Sequence, residues 1–158
     1  MGEYIGSHVR TAARALIIKD RKLLLVKNQD ADGDWYLLPG GGQIKNHTLA
    51  ETLQRECLEE TGYKIVMGPL VLVREYISNH HEFKDEQPNF HQIDLMFRCT
   101  LAAEEVLRPT EMDHWQTGVE WVELARIKEI RIYPTVLKAC FDDQDFTPPQ
   151  NIFLGDVN

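Results

Sequence analysis

Residues 39–63, PGGGQIKNHTLAETLQRECLEETGY, hold the densest set of groups in the chain that could do chemistry. Glu56, Glu59 and Glu60 fall within five residues, directly after Arg55. Like charges one helical turn apart repel by about 0.2–0.5 kcal/mol per pair in water, so a cation should offset them. A hard divalent ion, Mg²⁺ or Mn²⁺, takes oxygen donors of this kind and leaves positions for water and phosphate oxygens. Such an ion neutralises closely spaced phosphate charge, positions a bridging oxygen and lowers the pKa of a bound water. A glutamate not saturated by metal, Glu59 or Glu56, could then take the proton of the attacking water. The competing reading is a solvated helix face with an Arg55–Glu59 ion pair. The glycine turn, the spacing and the capping signals together weigh against it.

The elements that must position these groups are legible nearby. Thr48 with Glu51 three residues on forms a capping box, and Leu49, Leu53 and Cys57 recur at helical spacing as a buried stripe. Gly62 fits the left-handed position that closes a helix. Glu56 and Glu60, one turn apart, project on the same side. Upstream, two apolar runs, 9–18 and 23–26, flank a polar break at 19–22 and predict a β-hairpin. Residues 30–34 read as a loop, and 35–38 as a short strand stopped by Pro39. Downstream, 64–67, 70–77, 92–101 and 119–122 are strand-like. Segments 124–130 and 135–141 read as helical, interrupted at Pro134, and the tail from Asp142 as irregular. The polar segments 78–89 and 102–118 are long loops, the kind that carry function in compact domains, and are expected to be the substrate-selecting walls.

The chain as a whole narrows the class. Its 158 residues suit one domain, 1–158, with a core over about 8–141 and a tail over 142–158. Hydrophobic residues at 43% suffice for a core, and no apolar run reaches the length of a membrane span. The first residues lack the apolar stretch of a secretory signal, so a cytoplasmic protein is expected. Cys57, Cys99 and Cys140 are odd in number and widely spaced, which points to buried free thiols. A net charge of −8 without a basic cluster disfavours an extended nucleic-acid surface. It suits a small phosphorylated partner reached through metal.

With these residues in place, the chain resembles the Nudix hydrolases. Gly41 starts their signature, Arg55-Glu56 follows at the family's distance, Cys57 takes an apolar place, and Glu59-Glu60-Thr61-Gly62-Tyr63 complete it over 23 residues. The preceding LPGGG and the later GVEWVEL are similar to the family too. One position departs: His47 stands where the family has its first glutamate. The resemblance implies an α+β fold, an α/β/α sandwich with a mixed sheet. It also implies water attack on phosphorus in a nucleoside diphosphate linked to another group. It implies metal ligation by Glu56, Glu59 and Glu60 and by the Gly40 carbonyl, with Arg55 orienting a glutamate. The replaced glutamate usually supports the metal-binding groups from outside, and loss of such support typically costs ~10–100-fold in metal affinity or activity.

Weaker candidates surround this centre. Arg14 and Lys27, on strands leading to the site, could contact phosphate, and Tyr36, Trp35 and Trp115 could meet a ring. Solvent-facing charge and core packing are the competing readings. Glu111, Asp113 and Glu120 could supply a further ligand or base, whereas His80, His81, Glu82 and His91 read as scattered polar residues of a loop. Three functions follow. The first is a metal-dependent pyrophosphohydrolase acting on a nucleotide sugar such as ADP-ribose or on a nucleoside triphosphate. The second is a non-catalytic module that binds a nucleotide metabolite, and the third an RNA 5′-end pyrophosphohydrolase, which the acidic balance disfavours. A homodimer is compatible with the sequence, the tail being free to cross to a partner, but no pattern requires it.

Overall fold

The computed structural model describes residues 8–110 and 115–158. Its backbone is an α+β sandwich: nine strands and one α-helix, with three short 3₁₀ segments. Strand β1 (Arg10–Lys19) turns into β2 (Lys22–Asp30) through Asp20 and Arg21, both at positive φ, 51° and 57°. That conformation marks a two-residue type I′ hairpin turn, whose twist matches that of the flanking strands. β1 and β2 pair only beside the turn, at Ile18↔Leu23 and Lys19↔Lys22, and then separate.

Each strand builds its own sheet beyond that point. β1 pairs in parallel with β6 (His91–Val106) and antiparallel with the glycine strand β4 (Gly40–Gly42). β6 pairs with β5 (Tyr63–Ile77), and β5 with β9 (Phe153–Asp156). β2 pairs with β3 (Gly33–Leu37) and β7 (Gln116–Glu123), and β3 in parallel with β8 (Ile132–Tyr133). The sheet is therefore mixed, and it gapes between the far ends of β1 and β2.

Alternation along β1 fills the two cores. Ala13, Ala15 and Ile17 pack under α1 (Leu49–Thr61) with Leu53, Cys57 and Phe97, while Leu16 joins Leu72, Met96 and Leu137 in the other cluster. All three cysteines are buried free thiols, as expected. The helix carries the predicted capping box: Thr48 Oγ1 accepts from the Glu51 N–H at 3.1 Å, and the Thr48 N–H donates to Glu51 at 2.7 Å. Gly62 closes it at φ 77°, where an added Cβ would meet the Leu107 carbonyl.

Four expectations change. The run 64–77 is one strand carrying register shifts, not two strands. The segments expected as helices are 3₁₀ turns, Leu124–Glu129 and Thr135–Cys140, too short to build α-helical turns beside Pro134. The segment 102–118 is strand at both ends, since β6 runs on to Val106 and β7 begins at Gln116, with 107–110 irregular between them. The tail is ordered too: β9 covers the edge of β5, which would otherwise present unpaired backbone groups.

Candidate active site

The gap between β1 and β2 is a cleft of about 350 Å³. β1 contributes Arg10 and Arg14 to its lining, β2 Asn28 and Asp30, and β3 Trp35 and Leu37. Strands β5 and β6 add Arg74, Tyr76 and Gln92, and Phe83 and Phe90 lie at its border on the loop before β6. The helix enters through Glu56, beside Gly40 and Gly41.

That approach depends on missing side chains. A Cβ on Gly41 would fall 2.5 Å from the Glu56 carboxyl carbon, and one on Gly40, at φ 147°, would overlap the Ala13 carbonyl. The glycine strand thus lets α1 lie close enough to β1 for Glu56 to face Arg14. Arg55 Nη1 donates to Glu56 at 2.9 Å and more weakly to Glu59 at 3.5 Å, and its Nη2 reaches the Gly42 carbonyl at 3.3 Å. Glu60 is buried. Burial would lower the Arg14 pKa, but the charges of Asp94 first and then of Glu60 and Glu56 raise it.

Among the described residues no three His, Cys, Asp or Glu side chains converge on one point. Arg55 occupies the carboxylates instead, and its own Nε is buried without a partner. The donor chemistry nevertheless fits a hard divalent ion. The helix offers carboxylates only, the Gly40 carbonyl opens beside them, and that carbonyl already meets a cationic group, Arg14 Nη1, at 3.2 Å.

The second cluster in the cleft is one that sequence reasoning missed. Asp94, fully buried on β6, lies between Arg14 and Arg74. Burial alone would raise its pKa, but the two guanidiniums hold it below the usual carboxylate range. Arg74 is buried as well, which lowers its own pKa against the pull of Asp94. The available signal was alternation: Arg74 and Asp94 are directly paired across β5 and β6, at buried positions, Arg74 between Leu72 and Tyr76 and Asp94 between Gln92 and Met96. A charged residue at such a position has to find a partner.

Other candidates sort by strand face. Arg14 lines the cleft, whereas Lys27 and Tyr36, paired across β2 and β3, point away from it. Lys27 Nζ lies 2.9 Å from Asp34, and the Tyr36 hydroxyl donates to Glu120 at 2.9 Å, so Glu120 too lies outside the cleft. Trp35, next in sequence to Tyr36, lines the cleft and packs against Phe83 and Tyr133. Trp115 stands half exposed at the edge of the cleft. His47 is exposed in the turn before α1, its carbonyl accepting from Gln43, and does not line the cleft. Glu111 and Asp113 lie outside the described residues. His80, His81, Glu82 and His91 form no metal-holding group among the described residues; His80 and His81 each lie 2.7 Å from Asp156, and His91, at the start of β6, is 2.8 Å from Glu75.

Comparison with known proteins gives the site its setting. A family model described as NUDIX domain matches residues 8–140. The fold is similar to that of a NUDIX hydrolase from Nitrosomonas europaea, at TM-score 0.62 and 17% identity, with 77% of each chain covered. It is similar to a MutT NUDIX hydrolase from Burkholderia pseudomallei, at TM-score 0.57 and 23% identity, over 74% of this chain and 84% of that one. An ADP-ribose pyrophosphatase from Streptococcus suis 89-1591 aligns at TM-score 0.52 and 20% identity, over 80% of this chain and 81% of its own. Among curated proteins none matches the chain.

Proposed function

The chain belongs to the NUDIX domain family, and from that premise we propose that it is a single-domain, metal-dependent pyrophosphohydrolase. Its substrate is a nucleoside diphosphate linked to another group, either a nucleotide sugar such as ADP-ribose or a nucleoside triphosphate, met in the cytoplasm. The observation that carries this reading is the seating of Glu56 on Gly41, which brings the helix carboxylates to a cleft lined by arginines. No described helix is long and apolar enough to cross a membrane.

Glu56, Glu59, Glu60 and the Gly40 carbonyl would hold Mg²⁺ or Mn²⁺. When bound, the ion neutralises phosphate charge and makes water a better nucleophile at neutral pH. The protein's own groups do the rest. Arg55 orients Glu56 and Glu59 by charge-assisted hydrogen bonds. Glu59, which accepts from Arg55 at 3.5 Å, would take the proton of the attacking water. Arg14, on the opposite side of Gly40, binds phosphate oxygen and disperses the charge that develops as the bridge breaks. Trp35 and its aromatic neighbours offer a flat apolar surface to a ring carried by the substrate.

The test is a panel of nucleoside triphosphates, dinucleotides, nucleotide sugars and capped or triphosphorylated RNA, incubated with Mg²⁺ or Mn²⁺. Release of phosphate, pyrophosphate or monophosphate is followed. The expected result is hydrolysis of a nucleotide that disappears in Glu56→Gln and Glu60→Gln. Tight binding without turnover would replace this reading with a nucleotide-sensing module.

A further inference from the structure

The tail returns to the cleft by way of β9 and fastens two separate parts of its wall. β9 lies along β5: the Val73 N–H donates to the Ile152 carbonyl at 2.8 Å, and the Val157 N–H to the Glu75 carbonyl at 3.2 Å. Asp156 then turns to the segment 78–90. Its Oδ2 accepts from His80 Nδ1 at 2.7 Å, and its Oδ1 from His81 Nε2 at 2.7 Å and from the Ile77 N–H at 3.0 Å. An ionised carboxylate only accepts, so both imidazoles donate to it. Two residues on, Asn158 Nδ2 donates to Glu82 at 3.2 Å, and its Oδ1 accepts from Arg74 Nη1 at 3.3 Å. The Asn158 carbonyl accepts from the Thr135 hydroxyl at 2.9 Å, and the residue lines the cleft.

The segment so fastened is itself a wall of the cleft. Phe83, Glu86, Gln87 and Phe90 line the cavity, and the Phe83 ring packs against Trp35 and Tyr133 at 5.8 and 5.2 Å. Between β5 and β6 the segment belongs to no strand, and residues 84–89 are all exposed. Its neck is closed, by the Ser78 N–H on the Phe90 carbonyl at 2.9 Å and by Asn79 on Asn89 at 2.9 Å, as in a compact surface loop. Such a loop, with few buried contacts, opens at lower cost than the core. Its resting place is therefore set by its ties, Phe83 on one side and the tail on the other. We propose that residues 152–158 are a latch, with Asp156 as its catch, that holds the loop 78–90 against Trp35 and so sets the width of the cleft on its aromatic side. Asp156 lies outside the lining of the cleft and is a positioning residue, acting through His80 and His81. Release of the catch lets Phe83 leave Trp35 and widens the entrance for a ring carried by the substrate. The latch rests on the hydrolase reading for its effect on turnover, but not for its closing.

Amide hydrogen exchange, read by NMR on the full chain without nucleotide or metal, tests the latch directly. Asp156→Ala removes the acceptor of both imidazoles, and His80→Ala, at a side chain 59% exposed, removes one donor. The reporters are the Ser78, Gln87 and Phe90 amides, which bond within the loop and not to the tail. The amides of β2 set the baseline for the fold as a whole. In Asp156→Ala the loop amides should exchange about tenfold faster than that baseline accounts for. In His80→Ala they should quicken by a smaller factor. With Mn²⁺ and a hydrolysed nucleotide, both variants should raise KM by about 2–10-fold, as for a loosened aromatic contact, with kcat little changed. A merely structural loss would speed the β2 amides equally and leave KM alone. Loop amides that stay at the baseline in Asp156→Ala would overturn the latch; should that variant not fold, His80→Ala decides alone. Faster loop exchange with no nucleotide hydrolysed would sink the hydrolase reading and leave the latch standing. Hydrolysis with KM unmoved, in a variant whose loop amides have quickened, would remove the latch from the cleft and keep the hydrolase reading.

Discussion

Gly41→Ala separates the placement of Glu56 from the stability of the fold. A Cβ at this position would lie 2.5 Å from the Glu56 carboxyl carbon and 2.7 Å from each of its oxygens, whereas ordinary contact begins at 3.4 Å. The carboxyl group must therefore retreat by about 0.9 Å, the difference between the two carbon distances. It can do so, because it is the far end of a flexible side chain and because Gly41 is not at positive φ. The backbone register of β4 on β1, Ala13↔Gly41, need not change. A misplacement of roughly 1 Å at a reacting centre costs on the order of 10²-fold in rate. We expect kcat to fall by about that factor while the thermal midpoint stays near wild type. The control is Gly118→Ala, on β7, where an added Cβ meets nothing within 4 Å; it should leave both quantities unchanged. The assay is steady-state hydrolysis in Mn²⁺ of whichever nucleotide the panel identifies, alongside thermal unfolding. A Gly41→Ala protein with wild-type kcat would refute the claim that the glycine exists to seat Glu56.

Three further outcomes are expected. Thr48→Ala removes the side-chain half of the capping box, so α1 should lose about 1 kcal/mol, seen as a thermal midpoint lower by ~2–4 °C for a chain of this size. His47→Glu puts a carboxylate at the exposed turn before α1 and should raise turnover at fixed Mg²⁺; an unchanged or slower rate would mean that His47 has its own purpose. Asp156 is held down to about 2 because hydrogen bonds from His80, His81 and the Ile77 N–H outweigh its burial. A depressed carboxylate stabilises the fold fully above its unfolded value, near 3.8, and that stabilisation is lost as pH falls through the folded one. Denaturant unfolding should thus show wild-type stability dropping between about pH 4 and 2, by more than in Asp156→Asn.

What could be read from the sequence divides along the range of the interactions involved. The helix and both its ends were legible because a capping box, an apolar stripe and a closing glycine are local, each acting within a few residues. The hairpin was legible too, though the φ values confine its turn to Asp20 and Arg21. The tail was not. Residues 153–156 have no strand pattern of their own, and become β9 because the edge of β5 offers them backbone partners and because Asp156 finds His80 and His81. The site divides in the same way. Glu56, Glu59 and Glu60 announce themselves by spacing on one helix, but whether Lys27 or Asn28, Tyr36 or Trp35, reaches the cleft depends on strand register, where one residue exchanges the two faces. The pairing of Lys27 with Tyr36, and of Asn28 with Trp35, sends the first pair away and the second inward. Arg74 and Asp94 lie 20 positions apart, and each alone looks like a surface charge in a strand. Only the direct pairing of β5 with β6 makes them a buried ion pair, and only the opening of β1 from β2 gives that pair a cleft to face. The same divergence that hides these residues from a reading along the chain is what gives the helix carboxylates a cationic group opposite them.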